Sequence, residues 1–170
     1  MASYATITVK GGALEGLQRA LRAMGLPGEL EAEGLCLGRG SPPLERFYQQ
    51  QEEFSAIAAS LSKGLEVPLL AAMNLEDELL LLWAFDRGQP VFAYDSNPMV
   101  LACRVCSYSS ESVPAELGPV EQLAERFGVP ERARALKSWL GRRRGLGFLS
   151  ERERHRRILQ LLGLFPAGAS

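Results

Sequence analysis

The sequence is poor in the residues that usually build reactive or membrane-bound proteins. Its 170 residues include one histidine and three cysteines, and the formal net charge is only −1. Three cysteines are too few for a disulfide framework, which favours a reducing compartment. The longest apolar run, Leu79 to Phe85, is far shorter than the roughly 18 residues that cross a bilayer. Met1 to Tyr4 show no secretory signal, so we expect a cytoplasmic protein without a membrane segment.

Motifs for metals, nucleotides and thiol chemistry are also scarce. Cys103 and Cys106 have the Cys-x-x-Cys spacing of redox motifs and of half a zinc site. A structural zinc ion needs four ligands, and the chain adds only Cys36 and the distant His155. We therefore predict no bound metal and no cofactor. We expect Cys103 and Cys106 to be structural, with a redox role or a metal shared between subunits as the alternative.

The sequence does contain a strong β signal between Val67 and Pro98. Three apolar, β-prone runs follow one another there, at residues 67–73, 78–85 and 90–94, with short polar turns between them. This pattern predicts a three-stranded antiparallel meander. Apolar residues occupy both faces of the middle run, which predicts a strand covered on both sides. The two faces are Leu79, Leu81, Trp83 and Phe85 on one side and Leu80, Leu82 and Ala84 on the other.

Helices and further strands are predicted around this meander. Residues 4–9 and 29–37 have the pattern of strands, residues 13–24 and 44–63 that of helices, and residues 99–105 that of an edge strand. The last helix begins at a capping box, Ser150 and Glu153. We predict one α+β domain over residues 1–170, with a sheet of four to six strands and two helices in residues 1–106. Residues 118–164 form a helical C-terminal region, which either packs on the sheet or projects from it.

Charge is unevenly distributed along the chain. Residues 131–157 contain ten basic and three acidic residues, a local balance of +7, so the remainder carries −8. Because arginine binds carboxylates and phosphates, this region predicts a contact surface. The predicted surface consists of Trp139, Arg142, Arg143, Arg144, Arg154 and Arg157. We predict a non-enzymatic protein-interaction module whose partner is an acidic protein or a second copy of the chain, while the net acidic composition argues against nucleic acid.

The single histidine, His155, is the residue to consider for an alternative function as an enzyme or a small-ligand-binding protein. His155 would be the natural general base of an enzyme, because imidazole titrates near neutrality. It falls on the apolar side of the last helix with Ile158 and Leu159, and the arginines around it disfavour its charged form. We expect a packed histidine. The alternative is a small-ligand-binding protein or enzyme with a pocket between the sheet and the long helix, lined by Tyr48, Tyr94, Asp95 and His155.

Four segments, taken together, resemble a group of uncharacterised bacterial proteins of similar length. They are Thr-Ile-Thr-Val-Lys-Gly-Gly-Ala-Leu-Glu-Gly-Leu-Gln-Arg-Ala-Leu (6–21), Ala-Ser-Leu-Ser-Lys-Gly-Leu (59–65), Val-Phe-Ala-Tyr-Asp-Ser-Asn-Pro (91–98) and Glu-Arg-His-Arg-Arg-Ile-Leu-Gln-Leu-Leu-Gly-Leu (153–164). The resemblance spans most of the chain and implies a bacterial, cytoplasmic protein. It supplies no activity.

Overall fold

Seven strands and five α-helices make up the described part of the chain. The computed structural model describes residues 3–10, 13–26, 28–31, 34–37, 51–97, 116–117, 119–142 and 150–164. The strands are β1 (Tyr4–Val9), β2 (Gly28–Glu31), β3 (Gly34–Leu37), β4 (Pro68–Leu75), β5 (Leu79–Asp86), β6 (Gln89–Asp95) and β7 (Glu116–Leu117). The helices are α1 (Leu14–Ala23), α2 (Gln51–Leu65), α3 (Val120–Arg126), α4 (Ala133–Leu140) and α5 (Glu151–Leu161), with a 3-10 turn (Pro130–Arg132) before α4.

The strands form one antiparallel sheet in the order β2-β3-β1-β4-β5-β6-β7. The predicted meander is confirmed as β4, β5 and β6; β5 has the predicted length, β4 is one residue longer and β6 is two residues longer. A turn at Arg87 and Gly88 joins β5 to β6, and both residues have positive φ angles, as a type I′ hairpin requires. The Gly88 amide donates a hydrogen bond to Ser62 Oγ of α2, so this turn is fixed to the helix beside it.

Helices cover both faces of the sheet. On the first face, Leu79, Leu81 and Phe85 of β5 pack in one apolar core with α1 and α2. On the second face, the alternate residues of β5, such as Leu80 and Leu82, pack in a second core with α3, α4 and α5. The predicted burial of the middle strand on both sides is therefore confirmed. The C-terminal helices pack on the sheet and do not project from it.

The sequence reading was wrong about the segment at residues 29–37. It predicted one strand, whereas β2 and β3 are two short strands that pair antiparallel with each other, Leu30 opposite Leu35. Alternation of apolar residues is the same in one long strand and in two short paired ones, so it could not separate them. With β7 at the other edge, this hairpin brings the described sheet to seven strands. The predicted helix at 44–50 and edge strand at 99–105 lie outside the described residues.

The N-terminus of α5 is joined to the tip of the β4–β5 hairpin. Ser150 Oγ accepts a hydrogen bond from the Glu153 amide, which confirms the predicted N-cap. Asp77, in the hairpin turn, accepts a second one from the Arg152 amide at 3.0 Å. Two of the free N–H groups of the first helical turn are thereby satisfied, one of them by a carboxylate, which the helix dipole favours. Within the described residues, none of the helices has the length and apolar character needed to cross a bilayer.

Candidate interaction site

Arg154 is buried between α5 and the end of α4, with 1% of its surface exposed. Its guanidinium donates to Tyr94 Oη at 2.8 Å, to the carbonyl oxygens of Trp139 and Leu140 at 2.9 Å, and to that of Arg142 at 2.6 Å. These carbonyls belong to the end of α4, where backbone oxygens lack helical partners. Arg154 was predicted to belong to the contact surface, and that prediction is wrong. It lies on the inner side of α5, where it closes the end of the preceding helix.

A buried carboxylate accompanies this arginine. Glu151 Oε2 lies 3.0 Å from Arg154 Nε, and the Glu151 side chain is fully buried. Tyr94 Oη donates to the carbonyl of Leu140 while it accepts from Arg154. Burial raises the pKa of Tyr94 to about 12, so its hydroxyl keeps its proton at neutral pH. The sequence analysis did not single out Glu151, although Glu151, Arg154 and Ile158 repeat at the spacing of one helix face.

A second arginine closes the end of α5 in the same way. Arg132, just before α4, donates to the carbonyl oxygens of Gln160 and Leu161 in the last turn of α5. The C-terminus of α4 is thus closed by Arg154 of α5, and that of α5 by Arg132, which precedes α4. A positive charge at these positions is also favoured by the negative end of the helix dipole. Part of the positive charge of residues 131–157 therefore serves the fold and is not free for a partner.

Two of the accessible arginines lie beside Trp139. The guanidinium of Arg142 lies 4.7 Å from the centre of the Trp139 ring, and that of Arg157 lies 5.8 Å from it. Arg142 is exposed, Arg157 exposes 47% of its side chain, and Trp139 is half-buried. Arg157 also pairs with Glu153 at 2.9 Å. We call these three residues (Trp139, Arg142 and Arg157) the Trp139 surface; Arg143 and Arg144 lie outside the described residues.

His155 is packed and neutral, as predicted. It is completely buried, and its Nδ1 lies 2.8 Å from the Tyr4 hydroxyl. Burial lowers the pKa of His155 to about 3, and the charges of Arg152 and Arg156 add to this effect. At neutral pH we assign Nδ1 as the acceptor of the Tyr4 proton, which places the imidazole hydrogen on Nε2. A histidine with so low a pKa is a poor general base.

The pocket predicted from Tyr94, Asp95 and His155 does not assemble. Tyr94 and His155 face the second core, whereas the long helix α2 packs on the first face. Asp95 pairs with Leu81, which belongs to the first core, so strand alternation directs it away from Tyr94. The pKa of Asp95 is raised by burial, while the Asn97 amide donates to its carboxylate. The fourth predicted residue, Tyr48, lies outside the described residues.

A polar row on β1 was not recognised as a site from the sequence. Tyr4, Thr6, Thr8 and Lys10 alternate along the strand and so share the face toward the second core. The Lys10 ammonium donates to the Phe127 carbonyl. The Thr6 and Thr8 hydroxyl oxygens are buried, and neither has a hydrogen-bond partner among the residues described. A strand that alternates apolar with hydroxyl side chains predicts an exposed polar face, so this burial could not be predicted from the sequence.

Metal and thiol sites gain no support from the part of the chain that can be described. Searching it for three or more histidine, cysteine, aspartate or glutamate side chains that could hold a metal ion finds no such group. Cys103 and Cys106 lie outside the described residues. Comparisons of the chain with protein-family models, with curated proteins and with solved structures found no match.

Proposed function

We propose that this chain is a non-enzymatic protein-interaction module that binds an acidic segment of another protein through the Trp139 surface. One observation carries the proposal. Two exposed guanidinium groups, of Arg142 and Arg157, contact the same half-buried indole ring. Tryptophan and arginine are the residues that most often dominate binding energy at protein interfaces.

The chemistry of these side chains indicates the partner. A guanidinium group binds a carboxylate through two parallel hydrogen bonds, which favours Asp and Glu side chains on the partner. The exposed part of the indole ring offers an apolar area on which the partner's own apolar side chain can pack. The two guanidinium groups lie 4.7 and 5.8 Å from the centre of one ring, so they are at most about 10.5 Å apart. A helix with carboxylates one turn apart falls within that limit, since residues three or four apart share a face.

Fluorescence anisotropy tests the proposal directly. The probe is a labelled helical peptide with Glu along one face and Leu beside it, and its comparison is the same peptide with Lys in place of Glu. We expect the acidic peptide to bind, the basic one not to bind, and the double substitution Arg142→Ser/Arg157→Ser to weaken binding at least about tenfold. Salt should weaken binding of the wild-type chain, because the contacts are exposed charges.

A matched variant separates a specific surface from general charge attraction. Arg134 and Arg87 are also exposed, and neither is among the arginines that contact an aromatic ring in the described residues, so Arg134→Ser/Arg87→Ser removes the same charge elsewhere. An equal loss of affinity in this control would contradict the proposal.

A photo-crosslinker at the exposed Ser138 identifies the partner in cells. Crosslinks to an acidic segment of another protein support the proposal. Crosslinks to nucleic acid overturn it, and crosslinks to the chain itself identify a homodimer instead.

A different observation favours a second candidate, a small-ligand-binding protein. Thr6 Oγ1, Thr8 Oγ1 and His155 Nε2 are all buried polar atoms for which the described residues offer no partner, and such groups are normally hydrogen-bonded. A small polar molecule on the second face would satisfy them. Thermal unfolding with a metabolite library tests this, because a ligand at one hundred times its dissociation constant adds about 2.7 kcal/mol of stability. The absence of any stabilising compound in a broad library would count against it.

A further inference from the structure

The buried guanidinium of Arg154 connects the Trp139 surface to the sheet. We propose that Arg154, held by Tyr94, is a positioning residue that fixes the Trp139 surface in its binding geometry. This inference rests on the proposed function. It extends that function by assigning a role to a buried group that the partner never touches.

The contacts of Arg154 are made at the place where the surface is built. Its N–H groups bind the carbonyls of Trp139, Leu140 and Arg142, so they hold the backbone on both sides of Gly141. Glycine has the greatest conformational freedom of any residue. The five N–H groups of an arginine are arranged in a rigid planar fork. One guanidinium can therefore restrict a chain segment that would otherwise leave α4 in many directions.

Arg154 also determines where Arg157 lies relative to Trp139. Arg157 follows Arg154 by three residues on α5, so the two side chains leave neighbouring positions of one helix. When Arg154 binds the end of α4, it places Trp139 and Arg142 against Arg157. The 5.8 Å contact joins Arg157 of α5 to Trp139 of α4, so it depends on how the two helices are aligned. The 4.7 Å contact joins Trp139 to Arg142, just beyond the end of α4, so it depends on the path of the backbone across Gly141. Arg154 belongs to α5 and is bonded to the carbonyls on both sides of Gly141.

Tyr94 connects these hydrogen bonds to the sheet. It belongs to β6 and to the second core, and its hydroxyl joins Arg154 to the Leu140 carbonyl. Burying an arginine and a glutamate costs free energy that an apolar pair of the same size would not. A buried pair is therefore weak as a source of stability. Its several directional bonds to one short segment are what a positioning role requires.

Tyr94→Phe is the most informative variant, because it removes one hydroxyl and leaves the ring in the core. Tyr4→Phe is its matched control: it also removes a buried hydroxyl on the second face, but one that bonds His155 and not α4. The reference protein and every variant in this experiment also carry Trp83→Phe, so that Trp139 is the only tryptophan. We expect Tyr94→Phe to increase acrylamide quenching of Trp139 and to weaken binding of the acidic peptide about three- to tenfold. Tyr4→Phe should change neither measurement.

A second variant keeps the test decisive if Tyr94→Phe folds poorly. Glu151→Leu/Arg154→Met replaces the ion pair with apolar side chains, and it should fold but bind the peptide at least about tenfold more weakly. Unchanged quenching and affinity in both variants would overturn the positioning role while leaving the proposed function intact. If the wild-type chain does not bind the peptide, the proposed function fails, and quenching alone decides whether Arg154 and Tyr94 position Trp139.

Discussion

The two faces of the sheet are both covered by helices but have different chemistry. The first core consists of aliphatic and aromatic side chains from the sheet, α1 and α2, such as Leu17 and Phe54. The second core combines similar side chains with a buried ion pair, Glu151 and Arg154, and a neutral histidine. Both contribute to stability, and on the second face arginine side chains bond to the carbonyls at the ends of α4 and α5. The candidate binding surface is on the helices of this second face.

The largest expected effect comes from making the second face resemble the first. Arg154→Met alone should lower the free energy of unfolding by about 3–5 kcal/mol, because it leaves Glu151 buried without its cation. Adding Glu151→Leu should recover most of this loss, because no buried charge then remains. Urea unfolding of the wild type, both single variants and the double variant measures the coupling.

A variant on the first face provides the reference for that cycle. Phe54→Ala removes a fully buried ring and should cost about 3–5 kcal/mol through the cavity it leaves. Unlike the loss from Arg154→Met, this loss cannot be recovered by removing a charge elsewhere, because no buried charge is left unpaired. If the losses from Arg154→Met and Glu151→Leu simply add, the ion pair contributes to stability in the same way as the apolar contacts, and the contrast between the two faces fails.

The next effect concerns pH and belongs to the second face. The pKa of His155 is about 3 in the folded chain, against an ordinary value of 6.5. At His155 the unfolded chain therefore binds one more proton between these two values, so the contribution of His155 to stability falls as the pH is lowered below about 6.5 and levels off near 3. The slope in this window is about 1.4 kcal/mol per pH unit.

The variant His155→Asn isolates that contribution, because its amide oxygen can still accept the Tyr4 proton while the side chain does not titrate. Subtracting the variant's unfolding free energies from those of the wild type, between pH 7 and pH 4, should reveal the slope. A flat difference would mean that His155 is accessible to protons in the folded chain.

The smallest effect concerns the hydroxyl row on β1. Thr6→Val exchanges a buried hydroxyl without a described partner for a methyl group of the same size, and we expect a gain of about 1 kcal/mol. Thr6→Ser, which keeps the hydroxyl and removes the methyl, should lose stability. Thermal unfolding of both variants makes the comparison. A loss in Thr6→Val would indicate that the hydroxyl is hydrogen-bonded, as the small-ligand alternative requires.

The first face could be predicted from sequence because its pattern is local. Alternation within residues 67–94 determines which side chains point together, and neighbouring turns fix the strand order. The network around Arg154 could not be predicted in this way. Tyr94 precedes Arg154 by 60 residues, and the other acceptors are backbone carbonyls, which every residue has. An arginine-rich segment therefore looks the same whether its side chains bind a partner or close a helix.

The contact between Asp77 and the Arg152 amide has a consequence for the order of folding. The first turn of α5 receives a cap from a hairpin 75 residues earlier in the chain, and Glu76 and Asp77 hold positive φ angles there, which side chains other than glycine disfavour. Without this contact, the first turn of α5 would lack one hydrogen bond, and the hairpin turn would keep its unfavourable backbone angles with one contact fewer to offset them. Because a contact so distant in sequence forms slowly, α5 should dock after the meander. During synthesis, the part of the second face that α5 covers would then stay exposed until residues 151–161 have left the ribosome.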